Sequence, residues 1–173
     1  TGVATLDNLP LGIYYVKEVA TAHGYVLDKE PVVVDLTYRD QNTPVVIYDE
    51  DWQNHRQTVS IHILKKEKNT DRVLEGGIFG LFAKEDIVSA SGKVLIEADE
   101  IIELKATDAN GEINFIADLP IDASYYVKEL HAPAGFVSSD EILSFDASYQ
   151  GQEIQTVELK AVKKNEPTVV EIT

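Results

Sequence analysis

The sequence contains neither cysteine nor methionine. Without cysteine there is no disulfide, no Cys-x-x-Cys zinc site and no thiol nucleophile. That leaves the compartment open, but an exported protein of this kind must find stability elsewhere. No stretch approaches the roughly 18 apolar residues of a membrane helix, so no membrane insertion is expected of this fragment. Positive charge is scarce: 15 Lys and Arg face 30 Asp and Glu, for a formal net charge of -15 over 173 residues. Such a surface repels phosphate backbones and anionic membrane, which argues against nucleic acid as a partner. His23, His55, His62 and His131 show no ligand spacing, and "DEDWQN" and "EADE" do not follow a calcium loop, so no metal is expected. There is no phosphate loop, no G-x-S-x-G and no nucleophile triad, which removes the basis for a hydrolase reading and for any cofactor.

What is present is a repeat. Sliding residues 14–61 by 111 positions onto 125–172 gives 15 identities in 48 without a gap, among them Gly24/Gly135, Asp35/Asp146, Tyr38/Tyr149 and Asn54/Asn165. The phrase "YYVKE" occurs in both copies, at Tyr14–Glu18 and Tyr125–Glu129, and one inserted residue extends the match to Leu9-Pro10 and Leu119-Pro120. A period of this length fits tandem globular domains rather than a solenoid. Residues 57–173 then read as a whole unit and residues 1–56 as the C-terminal half of another. The chain opens at Thr1 without initiator Met or signal peptide and reads as an excised fragment. A half-domain exposes unpaired strand edges and an uncovered apolar face. A complementing segment for residues 1–56 is therefore expected from another chain or an upstream piece, failing which these residues should pack poorly.

The local pattern is nearly all β. "TVSIHILK" alternates, and "IFGLFA", "VLIEA", "EINFIADL", "SYYVKEL", "ILSFDA" and "IQTVELKAV" are further short β-rich runs. Turn signals separate them at Glu75-Gly76-Gly77, Ser91-Gly92, Asn110-Gly111, Pro133-Ala134-Gly135 and Gln150-Gly151. Several strands at this spacing predict an antiparallel β-sandwich. "EADEIIELKATDA" leaves a helical turn open, because Ile101, Ile102 and Leu104 do not settle the period.

Three polar residues sit in phase with apolar strand positions. Lys65 ends the row Val59, Ile61, Ile63; Glu129 ends the row Tyr125, Val127; Asn165 continues Val157, Leu159, Ala161, although Lys163 falls in the same phase. Taken singly each has a plain reading. Glu129 can be a strand end turning into solvent, Asn165 before Glu166-Pro167 a turn residue, and Lys65 in "KKEK" part of a solvated charge run. Buried charges are costly alone, so if all three face one core they should meet there. Tyr15 and Tyr126 read as surface-facing, and sheet packing accounts for them better than sugar stacking.

"LKKEKNTDRVLEGGIFGLF", "TDANGEINFIADLP", "YYVKELHAPAGF" and "AVKKNEP", in that order, resemble the Cna protein B-type, or SpaA-like, domains of Gram-positive pilins and surface adhesins. The resemblance spans 57–173, and residues 1–56 resemble the family's second half. It implies a prealbumin-like, inverse-immunoglobulin sandwich in which an acid catalyses an isopeptide bond between a lysine on the first strand and an asparagine on the last. Carried over, Lys65 is the reactive lysine, with Lys66 as runner-up on the opposite face; Glu129 is the catalytic acid and Asn165 the acceptor. In the first unit Glu18 and Asn54 match, while the lysine would precede Thr1. The sequence departs from the family's common spelling at "EGGIF", and Trp52 and Lys163 stand where small or apolar residues would be more comfortable.

Burial explains the implied chemistry. An ammonium removed from water has a lowered pKa and yields a nucleophilic amine. A protonated carboxyl can hydrogen-bond the asparagine carbonyl, polarise it and shuttle the proton that leaves with ammonia. The reaction runs once per molecule, so the protein is not an enzyme in the turnover sense. The expected function is a stalk or shaft module of a pilin or wall-anchored adhesin on the Gram-positive cell surface, partnered by neighbouring modules of the same protein. The alternative is a ligand-binding sandwich recognising a host matrix protein or a carbohydrate, which could carry the same bond.

Overall fold

A computed structural model describes residues 2–89 and 91–172 and contains eleven strands. β1 (Gly12–Val16) and β2 (Val32–Leu36) precede the sandwich, which comprises β3 (Thr58–Glu67), β4 (Ile78–Ala83), β5 (Ile87–Val88), β6 (Val94–Ile96), β7 (Ile101–Ala106), β8 (Glu112–Phe115), β9 (Ala123–His131), β10 (Ile142–Ala147) and β11 (Thr156–Asn165). One sheet has the order β10-β9-β4-β7 and the other β11-β3-β8, with β5 and β6 forming a small separate ladder. The all-β sandwich expected from the alternating runs is what forms. Among the described residues no helix is long and apolar enough to cross a membrane.

The core follows from the period of two. Val59, Ile61 and Ile63 of β3 face inward with Phe79 and Leu81 of β4, Ile113 and Phe115 of β8, Tyr125 and Val127 of β9, and Val157 of β11. Each such side chain, removed from water, contributes about 1.5–3 kcal/mol. Tyr125 keeps its hydroxyl satisfied by donating to the Pro120 carbonyl at 2.7 Å.

One feature settles a point the sequence left open, and another departs from an all-antiparallel sandwich. The segment around Ile101 is strand β7 rather than a helical turn, paired antiparallel with β4. Its period is two, and Glu103 and Lys105, two residues apart, form an ion pair at 3.0 Å. Further, β3 and β11 run parallel, while the other strand pairings are antiparallel. The sandwich's first and last strands thus lie side by side in register, with Lys163 opposite Lys65. This brings the two strand ends, far apart in sequence, to the same end of the molecule.

Residues 2–56 look different. β1 and β2 form a two-stranded antiparallel ribbon with Tyr14 opposite Val34, and Tyr14 donates to the Pro10 carbonyl at 2.6 Å as Tyr125 does to Pro120. Among the described residues before Gln57, Val34 is the one buried apolar side chain, while Ile13 and Tyr15 are 60% and 73% exposed. A two-stranded ribbon without a covered face is marginal by itself. Stability should therefore be concentrated in the sandwich. Ile61→Ala, at a fully buried position, is expected to cost about 2–5 kcal/mol in denaturant unfolding, whereas Tyr15→Ala should change it by less than about 0.5 kcal/mol. Equal losses would contradict this division.

Candidate functional site

Each of the three in-phase polar residues is delivered by a different strand. Lys65 follows Ile63 on the inward face of β3, Glu129 follows Val127 on β9, and Asn165 is the last residue of β11. A register shift between Ile78 and Phe79 sets Phe79 directly opposite Glu129, and bulges of this kind re-aim side chains beside functional sites. The Lys65 Nζ lies 5.5 Å from the centroid of the Phe79 ring. An aromatic face stabilises a cation weakly, without supplying the hydration it has lost.

The side chains of Lys65 and Glu129 are both fully buried, with Nζ 2.8 Å from Oε1. Lys65 Nζ also touches Asn165 Oδ1. Asn165 Nδ2 donates to Oε1 and Oε2 of Glu129 at 3.0 and 2.8 Å, and the backbone N–H of Ser139 donates to Oε2 at 3.1 Å. All three residues are therefore in mutual contact in the dry interior. Burial pushes the Lys65 amine below the ordinary lysine value; the hydrogen bond and charge of Glu129 pull part of that back, and the charge of Lys163 adds to the lowering.

The amide is oriented differently from the expectation. Glu129 lies at its nitrogen, not at its carbonyl oxygen, and the lysine occupies the oxygen end. Lys66, the other candidate, points away from the core, its Nζ 3.9 Å from Asp71.

Lys163 was the residue out of place in the sequence. It is buried, yet its Nζ reaches the rim, donating to Ser139 Oγ at 2.9 Å and to the Glu141 carbonyl and Oε2 at 2.8 Å each. The buried amine is satisfied by these three oxygens, and the Glu141 carboxylate, itself 65% exposed, supplies the counter-charge at the rim. Trp52 is 44% exposed and takes no part. Ser139 and Glu141 carry no mark in the sequence. Ser139 acts on Glu129 through its main chain, for which its side-chain type gives no signal.

Glu18 and Asn54 repeat half of this arrangement. Asn54 Nδ2 donates to Glu18 Oε1 and Oε2 at 2.8 and 2.9 Å, and the backbone N–H of Asp28, 111 positions before Ser139, donates to Glu18 Oε2 at 3.0 Å. Among the described residues no lysine bonds to this pair; Thr21 Oγ1 contacts Asn54 Nδ2 instead.

The family described as SpaA, prealbumin-like fold domain, matches the sequence over residues 1–51 and 59–166. Among solved structures, the Bacillus anthracis TIE protein is similar over 96% of this chain and 27% of its own, at 24% identity and a TM-score of 0.62. The full-length major pilin SpaD of Corynebacterium diphtheriae is similar over 64% of this chain and 31% of its own, at 20% identity and a TM-score of 0.47. For the group B streptococcus pilus 2b backbone protein the figures are 81% and 45%, 18% identity and 0.45. The chain spans less than half the length of each. No curated protein matches it.

The backbone of Lys65 is held by the Asn110-Gly111 turn: its N–H donates to the Gly111 carbonyl at 2.7 Å, and its carbonyl accepts from Leu74 N–H at 3.0 Å. Gly111 has φ +74°, and a Cβ there would stand 2.7 Å from the Lys65 carbonyl oxygen; Gly76 has φ +84° and nothing within 4 Å. Gly76→Ala should cost about 1 kcal/mol from the left-handed backbone alone. Gly111→Ala should cost at least about 2 kcal/mol. Equal losses in denaturant unfolding would show that the close approach to Lys65 does not matter.

Proposed function

The chain belongs to the family of SpaA prealbumin-like fold domains, and on that premise we propose that it is a shaft module of a pilus or wall-anchored adhesin on the Gram-positive cell surface, locked by a Lys65–Asn165 isopeptide bond. The observation that carries this reading is the contact of Lys65, Glu129 and Asn165 inside the sandwich. The step balances simply. The neutral Lys65 amine attacks Cγ of Asn165, a Nζ–Cγ bond forms and the Cγ–Nδ2 bond breaks. Glu129, hydrogen-bonded to both nitrogens, takes the proton from Nζ and hands it to Nδ2, which leaves as ammonia. Amides are poor electrophiles, but positioning alone can be worth effective molarities of about 10⁵–10⁸ M, or roughly 7–11 kcal/mol.

The bond would close a loop of about 100 residues, for which an estimate developed for disulfides gives about 4.7 kcal/mol. Its mechanical consequence matters more. Tension entering through Gln57 would travel along β3 to Lys65, cross the bond to Asn165 and leave the chain, so residues 66–164 stay unloaded. Residues 1–56 are the C-terminal half of a second sandwich, in which Glu18 and Asn54 await a lysine on a completing strand. The burial and geometry of Lys65 support the chemistry, the family supports the setting, and neither observation favours a matrix-protein or glycan ligand.

Intact-mass measurement should show this chain lighter than its sequence by one ammonia, not two, because among the described residues no lysine bonds to Asn54. Glu129→Ala should restore the ammonia and lower the melting temperature. A wild type at full sequence mass would overturn the mechanism. The rate has a predicted pH dependence. The folded Lys65 pKa lies below 10.5, so the neutral amine is scarce below that lowered value and accumulates as pH rises through it. In chains held in denaturant from synthesis and then refolded, ammonia loss should accelerate with rising pH and level off before 10.5; a rate independent of pH would contradict a nucleophilic lysine.

A further inference from the structure

The way the chain leaves the sandwich copies the way it enters. Entering, Tyr25 bridges Arg56, Tyr25 N–H donates to Ala22 O at 3.1 Å, Val26 N–H to His55 O at 2.8 Å, and Gln57 N–H to Gly24 O at 2.8 Å. Leaving, Phe136 bridges Pro167, Phe136 N–H donates to Pro133 O at 3.1 Å, Val137 N–H to Glu166 O at 2.9 Å, and Thr168 N–H to Gly135 O at 2.8 Å. Every partner is shifted by 111 positions, and Gly24 and Gly135 share the left-handed turn at φ +87° and +84°.

Beyond the two joints, the chain is alike in sequence and opposite in environment. "TVVEI" at 168–172 falls on "QTVSI" at 57–61, which leads into β3 from Thr58. Val59 and Ile61 are 4% and 0% exposed, whereas their counterparts Val170 and Ile172 are 85% and 96% exposed. The entering joint also has a seat for the next module's loop: Thr21 N–H and Leu27 N–H donate to Gln152 Oε1 and O at 3.1 and 2.8 Å. Leu27 corresponds to Ser138, and Ser138 lies in a surface hollow of about 500 Å³ with Lys68, Val137, Ser139, Val162 and Glu166.

The geometry points to Thr168–Ile172 as the first strand of a further sandwich module, with the hollow at Val137–Ser139 as the seat for that module's counterpart of the Gln152 loop. The partner is thus a module of the same kind, continuing from Ile172 and docked as the present sandwich docks on residues 21–28. The alternating apolar pair Val170 and Ile172 would become core, as Val59 and Ile61 are. This rests on the tandem-module reading proposed above but not on the isopeptide chemistry.

The test extends the full chain after Ile172 with a copy of residues 62–172, so that Thr168–Ile172 must serve as the copy's first strand. A control replaces Thr168–Ile172 with the sequence of Gln57–Ile61. Amide hydrogen exchange should slow at least about a hundredfold at residues 169–172 in both, relative to the unextended chain. Val170→Asp with Ile172→Asp should abolish that protection in the extended chain and leave the melting temperature of the unextended one unchanged. Protection in the control alone would overturn the strand assignment, and protection in neither would overturn the equivalence of the joints. Because exchange and not mass is read, absence of ammonia loss from the added copy would sink the isopeptide reading while leaving this one standing.

Discussion

The structure depends on keeping a lysine, a carboxylate and a carboxamide together where water does not reach. An ion pair taken out of water is commonly no more stabilising than apolar residues of the same volume, because desolvation offsets the attraction. Lys65 and Glu129 are fully buried, so as a fixed ion pair they would be a poor use of the core. Chemistry makes better sense of them. The same loss of hydration that makes the ammonium costly lowers its pKa, and the group that keeps it in place is the one that can remove its proton. Once the amide formed, the lysine's charge would be gone, and the cost of burying it would go too.

Everything around the site serves to hold those three groups in one place. The parallel pairing of β3 with β11 brings the first and last strands level, the bulge opposite Glu129 sets Phe79 beneath the amine, and the Ser139 N–H fixes one carboxylate oxygen. Lys163 would be a competing positive charge, but its ammonium is drawn to the rim by Ser139 and Glu141. The ribbon of residues 12–36 holds no comparable core. Its Glu18–Asn54 pair is formed nevertheless, so the acid and the amide meet there with no lysine bonded to them among the described residues.

Much of this was legible from spacing alone. A period of two marks the inward rows, and Lys65, Glu129 and Asn165 each continue such a row, so their convergence could be argued before any coordinates. The 111-residue repeat presents the acid and the amide twice, while the roles given to the three residues come from the resemblance to SpaA-like domains. Other features leave no such trace. The parallel partnership of β3 and β11 joins segments about 100 residues apart, and nothing local records it. The phase of Lys163 is inward, but phase does not say how far a flexible stem can carry its charge. Ile101-Ile102 is ambiguous in a short window, and only pairing with β4 decides it. The amide's orientation depended on which neighbour claimed the carbonyl end.

The most direct measurement is tandem mass spectrometry of a proteolytic digest of the folded chain. A branched peptide joining the segment around Lys65 to the segment around Asn165, with fragment ions placing the link on those two side chains, is the predicted result. Two separate linear peptides, each with its side chain intact, would contradict it.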